Sequence, residues 1–200
     1  MALLGTVILL SAFYYVDKTT FVVPKNWPKP VYDFSKNPLS QSKIDLGRAL
    51  FYDPILSRNN TISCASCHSQ YSAFTHIDHA LSHGIDDKIG NRNSPALMNL
   101  AWQNVFMYDG AINHLDVQAL APISNSLEMD ENMAHVIEKL QNKKLYKTLF
   151  YKAYRDTVIT GERTLKALSQ FMLTLVSSNS KYDSVMRNQK KFTQQEKNGY

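Results

Sequence analysis

The run Cys64-Ala65-Ser66-Cys67-His68 constrains this chain more than any other stretch. Two thiols three residues apart, followed at once by an imidazole, form the C-x-x-C-H pattern of covalent haem attachment. Each thiol can add to one vinyl group of a single porphyrin. The histidine then lies where a neutral ring nitrogen can ligate iron. Cys64 and Cys67 are the only cysteines, so one haem accounts for both. A thioredoxin-like pair would stand between a buried strand and a helix, and Asn59-Asn60-Thr61-Ile62-Ser63 is too polar and too short for that strand. A zinc site would need a second pair of soft ligands at close spacing, and no further cysteine exists to supply it. The haem reading leads.

The rest of the chain reads as a wrapping for such a group. Its 200 residues suit one medium domain with appendages, and an apolar fraction of 44% is that of a globular protein. The net charge is +5, with basic residues dispersed; Arg187 to Lys191, three basic residues in five, is the nearest thing to a cluster and reads as a solvated face. Nucleic-acid binding would need a basic stripe with recognition elements, so no nucleic-acid partner is expected. Met1 to Val16 is the one strongly apolar run, short for a spanning helix and suited to a signal-peptide core, although no basic residue precedes it. Residues 1–16 are therefore expected to be a signal peptide or membrane anchor. Export to the periplasm follows, because c-type haem is attached outside the bacterial cytoplasmic membrane. Pro24, Pro28, Pro30 and Pro38 make residues 17–40 an extended, Pro-rich spacer.

Ser42 can cap a helix over Lys43 to Tyr52, with Leu46 and Leu50 on one face beside Gly47 and Phe51. Asp53-Pro54 ends it. Residues 69–93 form a long irregular segment carrying His76, His79 and His83, and a large cofactor would supply the core such a loop lacks. A short apolar helix is expected over Ala96 to Trp102, and a turn at Asp109-Gly110. Asp130 can cap a helix carrying Met133, Val136, Ile137 and Leu140. Leu145, Leu149 and Ala153 mark another, and Thr160 can cap a third with a stripe of Leu165, Leu168, Met172, Leu175 and Val176. No region alternates with period two for long. The expected fold is all-α with long loops, a cytochrome c-like haem domain over residues 41–191. Thr193 to Glu196 forms a capping box, which makes residues 192–200 the expected start of a truncated second cytochrome c domain.

Several landmarks recur in order: Leu46-Gly-Arg-Ala-Leu-Phe51, Ser63 to His68, Ala73-Phe-Thr75, Gly90-Asn-Arg-Asn-Ser-Pro95, Tyr108-Asp-Gly110, Gln118 with Pro122-Ile123, and Leu127-Glu-Met129. Together they resemble the bacterial di-haem cytochrome c peroxidases and their MauG-like relatives, specifically the N-terminal, peroxidatic haem domain. The resemblance implies hydrogen peroxide as substrate, a small cytochrome c or cupredoxin as electron donor, and a second haem c beyond Tyr200. It makes His68 the proximal iron ligand, Glu128 the distal acid–base carboxylate and Gln118 its hydrogen-bonding partner. Arg92 and Tyr108 become cofactor-contacting residues. Tyr108 stands where many members have a tryptophan between the haems. Asn93 becomes a ligand of an interdomain calcium ion. A homodimer is compatible with the family.

The sequence also departs from the family. Where the classical peroxidases have a histidine on the distal side of the resting haem, this chain has Ile85, which cannot ligate iron; His83 lies two residues earlier, and His76 and His79 read as exposed loop residues. A distal site open at rest follows, as in MauG-like enzymes. Ala111 replaces an arginine common after Asp-Gly. Two other functions compete: a MauG-like oxidase of a protein or organic substrate, and a monohaem electron carrier taking a sixth ligand from Met98, Met107 or Met129.

Overall fold

A computed structural model describes residues 17–200; the apolar run 1–16 lies outside the described residues. Helix α1 spans Gln41–Tyr52, α2 Cys64–Cys67, α3 Leu115–Gln118 and α4 Leu120–Ser124; α5 spans Met133–Gln141, α6 Lys144–Tyr154 and α7 Gly161–Leu173, followed by α8, Lys181–Met186, and α9, Gln194–Gly199. Among the described residues β pairing is limited to isolated bridges, Ser69 with Thr75, His83 with Ile89 and Phe106 with Ile112. The all-α expectation holds.

The centre of the fold is α7 lying against α1. Thr160 caps α7 by accepting from the Arg163 N–H, and every residue from Ala167 to Leu173 is buried. On α1, Leu46 and Leu50 are fully buried, each contributing about 1.5–3 kcal/mol. The helices touch at Gly47, where a Cβ would fall 1.9 Å from the Ala167 carbonyl oxygen. Only glycine permits that approach. Gln170 of α7, also fully buried, donates to the Asn37 and Pro38 carbonyls and to Asn37 Oδ1, and accepts from the Ser40 N–H. This pins the entry into α1.

The structure corrects several local expectations. Ser40, not Ser42, caps α1, because the Asp17 carboxylate accepts from the Gln41 and Ser42 N–H groups and from the Ser42 hydroxyl. Asn132, not Asp130, caps α5; Asp130 has φ 49°, incompatible with the extended backbone of an N-cap. On α6 the buried residues are Tyr146 and Phe150, one position on from the aliphatic series, and Leu145 is 58% exposed. The Tyr146 hydroxyl donates to Asp53 at 2.7 Å, giving that large ring a polar anchor inside. The helix expected over Ala96 to Trp102 is a single 3-10 turn, Leu100–Trp102, entered through left-handed Asn99 at φ 60°. Leu175 and Val176 follow the end of α7 and are half-buried.

Residues 17–40 are extended and lie along the domain. The Val31 and Tyr32 N–H groups both donate to the Ala101 carbonyl, and Trp102 Nε1 donates to Pro28 at 2.8 Å. Phe21 stacks on Phe34 at 4.6 Å, and the Tyr32 hydroxyl reaches buried Asp116 at 2.8 Å. At the other end, Thr193 and Glu196 form the capping box of α9, and Lys181 ties α8 to it through Glu196. Among the described residues no helix is long and apolar enough to cross a membrane.

Candidate haem site

Helix α2 is one turn long and carries the two thiols. The Ser63 N–H donates to Ser66 Oγ at 3.1 Å, and the His68 N–H closes the turn onto the Cys64 carbonyl at 2.9 Å. His68 leaves the helix with its ring turned into a cavity of about 350 Å³, whose walls include Arg92, Asn93, Leu97, Phe106, Met107, Tyr108, Gln118 and Glu128. A smaller hollow of about 50 Å³ shares His68, Leu97, Gln118, Pro122 and Glu128. It is closed by Cys64, Cys67, Phe51, Leu168 and Met172. The thiols thus face the α1–α7 core, and the imidazole borders both spaces.

The His68 ring is held by its Nδ1 against the Phe74 carbonyl at 3.1 Å. Ala73 and Phe74 aim that carbonyl by both taking left-handed backbone, at φ 57° and 56°. With the proton on Nδ1, Nε2 keeps its lone pair for a metal, the second-shell arrangement that fixes a ligating histidine. Burial pushes the His68 pKa down, against the opposing pull of the Phe74 and Pro95 carbonyls, which favours the neutral ring. Burial likewise pushes the Cys64 thiol up to about 12, with Cys67 adding to the effect, and raises Cys67. Cys67 Sγ contacts the His83 carbonyl at 3.4 Å.

Across the cavity, burial raises the pKa of Glu128; Asn125, donating to Oε1 at 2.7 Å, partly opposes the rise. Gln118 donates its amide to Met107 Sδ at 3.4 Å. The segment behind Glu128 is tightly packed. Ile85 is fully buried and its N–H meets the Glu128 carbonyl at 2.7 Å. At Gly84 a Cβ would fall 2.0 Å from the Leu127 carbonyl oxygen.

The remaining sequence candidates divide. Arg92 pairs with Asp109 and lies 5.8 Å from the Tyr108 ring centroid; Tyr108 is 70% exposed at the cavity wall. Asn93 uses its amide nitrogen to bind the His76, His79 and Ala80 carbonyls at 3.2–3.4 Å, so it organises the histidine loop. No group of three or more His, Cys, Asp or Glu side chains among the described residues is arranged to hold a metal ion. Met107 and Met129 reach the walls, and Met98 does not.

His76, His79 and His83 form a column outside the cavity. His76 Nε2 meets His79 Nδ1 at 3.0 Å, the His79 and His83 rings lie 4.7 Å apart, and His83 Nδ1 meets Asp87 at 2.9 Å. His79 and His83 stand four apart in sequence, the spacing of a zinc-finger pair following Cys64 and Cys67. Among the described residues these side chains do not gather into a group that could hold a metal ion, so the geometry rejects that reading. Sequence reasoning missed Asn125, whose i, i+3 relation to Glu128 was the available signal, and Asp116, which anchors Tyr32 and Asn37 next to Gln118.

Two thiols on the smaller hollow, and an oriented imidazole that borders both it and the adjoining larger cavity, fit a thioether-linked haem. Fold and site together define a cytochrome c-type haem domain. The chain belongs to the di-haem cytochrome c peroxidase family, whose model matches residues 41–191. Among its relatives it is 34% identical over 163 residues to methylamine utilization protein MauG of Methylophilus methylotrophus, covering 82% of this chain and 47% of that protein. It is 32% identical over 192 residues to cytochrome c peroxidase Ccp of Escherichia coli, covering 94% and 40%. A solved structure of a MauG-like protein associated with microbial copper homeostasis superposes with TM-score 0.82 at 29% identity, covering 90% of this chain and 53% of that one. The chain spans about half the length of these proteins or less. Members of the family bind c-type haem.

Proposed function

We propose that this chain is the peroxidatic haem domain of an exported di-haem enzyme that reduces hydrogen peroxide to water. The observation that carries this reading is one cavity bordered by His68 and by a half-buried carboxyl, Glu128, of raised pKa. Cys64 and Cys67 would hold the haem by thioether bonds and His68 Nε2 would ligate it. When bound, the haem supplies the iron that passes two electrons to peroxide. Glu128 takes the proton from one peroxide oxygen and returns it to the other as the O–O bond breaks. Asn125 holds Oε1 of that carboxyl, leaving Oε2 for the substrate. Gln118, an uncharged donor on the same wall, orients the peroxide. Tyr108, exposed at the cavity wall beside Arg92, would assist electron transfer from a second haem.

The electrons would come from a small cytochrome c or cupredoxin, and the protein would work in the periplasm, with residues 1–16 as its signal or anchor. Asn93 would add one side-chain oxygen to an interdomain calcium site completed by the second domain. The test is peroxide turnover by the haem-loaded full-length protein with a reduced donor, and its loss in Glu128→Gln. Unchanged turnover would remove Glu128 from the mechanism.

A second reading, oxidation of a protein or organic substrate as in MauG-like enzymes, is favoured by Ile85, whose hydrocarbon side chain offers no distal ligand to eject. Mass spectrometry of co-purifying proteins after peroxide treatment separates the two. A substrate modified in proportion to peroxide consumed, with no donor cytochrome required, selects the second.

A further inference from the structure

The net charge of this protein is concentrated in one stretch, the end of α5 and α6 with its caps. Of the 22 Lys and Arg residues, six fall between 139 and 155, a stretch with no Asp or Glu; the rest of the chain has sixteen against all 17 acids. Apart from that stretch the protein is close to neutral. Lys139 is engaged by Glu131 and by the Ser57 carbonyl. Lys143, Lys144, Lys147, Lys152 and Arg155 are exposed, and none forms an ion pair among the described residues. Of the acids nearest in sequence, Asp156 is clasped by Arg163, and Glu138, exposed on α5, immediately precedes Lys139 and stands five residues before Lys143.

At 100° per residue, Lys144, Lys147, Lys152 and Arg155 share the outer face of α6 with Leu145 and Tyr151, while Tyr146 and Phe150 face the core. Leu145 is 58% and Tyr151 54% exposed. Cations interleaved with a leucine and a tyrosine make a face suited to the headgroup region of a bilayer, where tyrosine rings and lysine stems are both accommodated.

The position of residue 17 gives the face a direction. Helix α6 packs along α1, and Asp17 is bonded to the first residues of α1. Burial raises the Asp17 carboxyl, but the bonds from Ser42 and Gln41 and the charge of Arg155 bring it down overall. The apolar run Met1 to Val16 therefore joins the domain beside the C-terminal end of α6.

We propose that the outer face of α6 rests on an anionic phospholipid surface, on the side from which residues 1–16 leave the domain. A single apolar segment and a cationic patch on one side provide the two signals that durable membrane attachment requires. The placement rests on reading residues 1–16 as membrane-inserting; the charge on α6 does not.

The test is co-sedimentation of the haem-loaded full chain with vesicles of phosphatidylcholine, with and without phosphatidylglycerol. The expected result is a preference for the anionic vesicles that weakens with salt and falls about fivefold per charge removed among K144Q, K147Q, K152Q and R155Q. A control with the same change of net charge, K181Q/K190Q/K191Q/K197Q, keeps the preference. Equal binding to both vesicles by the unsubstituted chain, or equal loss in the control, overturns the proposal. Absence of binding to pure phosphatidylcholine overturns the anchor reading of residues 1–16 and leaves the anionic preference to judge α6 separately. Retention on an immobilised acidic protein, lost in the α6 variant without any vesicle preference, overturns the lipid assignment in favour of a protein partner.

Discussion

The backbone N–H of Ile85 is hydrogen-bonded to the carbonyl of Glu128 at 2.7 Å. The loop position that would carry a distal ligand in classical relatives is thereby fastened to the back of the proposed catalytic residue. Ile85 is fully buried, and the neighbouring His83 ring is turned away onto Asp87.

The resting iron is therefore expected to lack a distal histidine. EPR of the oxidised full-length protein should show a high-spin component from this domain without prior reduction. A wholly low-spin, bis-histidine spectrum would sink the expectation, and with it the open site.

Gly84 makes the same junction sensitive to a single methyl group. In Gly84→Ala the new Cβ meets the Leu127 oxygen at 2.0 Å and Glu128 Cα at 2.6 Å, so backbone must move. The expected destabilisation is about 1–3 kcal/mol, a fall in melting temperature of at least ~2 °C. Peroxide turnover should fall with haem content unchanged. Turnover retained at the original level would detach this packing from catalysis.

Glu128 should give the pH profile its acid limb. Its pKa is raised above the ordinary 4.5, so the carboxylate that accepts the peroxide proton forms only as pH rises through the higher value. kcat/KM should climb across that interval, and Glu128→Gln should lower it by about 10²–10⁴ and remove the limb.

The same shift sets a stability term. A raised folded pKa favours the native state below the ordinary value, and the benefit is lost as pH rises through the folded one. Thermal melts from acid to neutral pH should show a smaller loss for Glu128→Gln than for the unsubstituted protein. Parallel curves would mean the carboxyl titrates alike in both states.

Gln170→Leu tests the other end of the fold. Leucine fills the space but abandons the Asn37 and Pro38 carbonyls and the Ser40 N–H. A loss of about 2–5 kcal/mol is expected from buried groups left unpaired. Chemical denaturation should read it as a lower midpoint at unchanged slope.

What the sequence disclosed depended on whether the cause was local. The haem motif, the Thr160 cap and the Thr193–Glu196 box declare themselves within a few residues. The stripe through Leu165, Leu168 and Met172 does so along one helix. Ser40 displaced Ser42 as a cap because Asp17, 25 residues away, occupies Ser42. Tyr146 faced inward because Asp53, 93 residues away, takes its hydroxyl. Both partners are invisible to periodicity. The cationic stretch escaped because Lys144, Lys147, Lys152 and Arg155 are spread along the chain at helix-face spacing, while Arg187 to Lys191 is denser in sequence. At the site, motif context singled out His68, Glu128, Gln118 and Asn93, but not that the Asn93 amide nitrogen ties together three carbonyls of its own loop, a contact set by the fold.

The burial of the two thiols bears on the order of assembly. Its surroundings push the Cys64 thiol up to about 12, and the hollow it lines is bordered by Phe51, Leu168 and Met172 of the α1–α7 pair. A thiol in that state is a poor nucleophile, and the wall gives a vinyl group little room to approach. Thioether formation is therefore expected to be faster on the open chain than after α1 has met α7. Haem attachment to the unfolded chain should then outpace attachment to the prefolded domain, and equal rates would show that the closed α1–α7 pair leaves the thiols accessible.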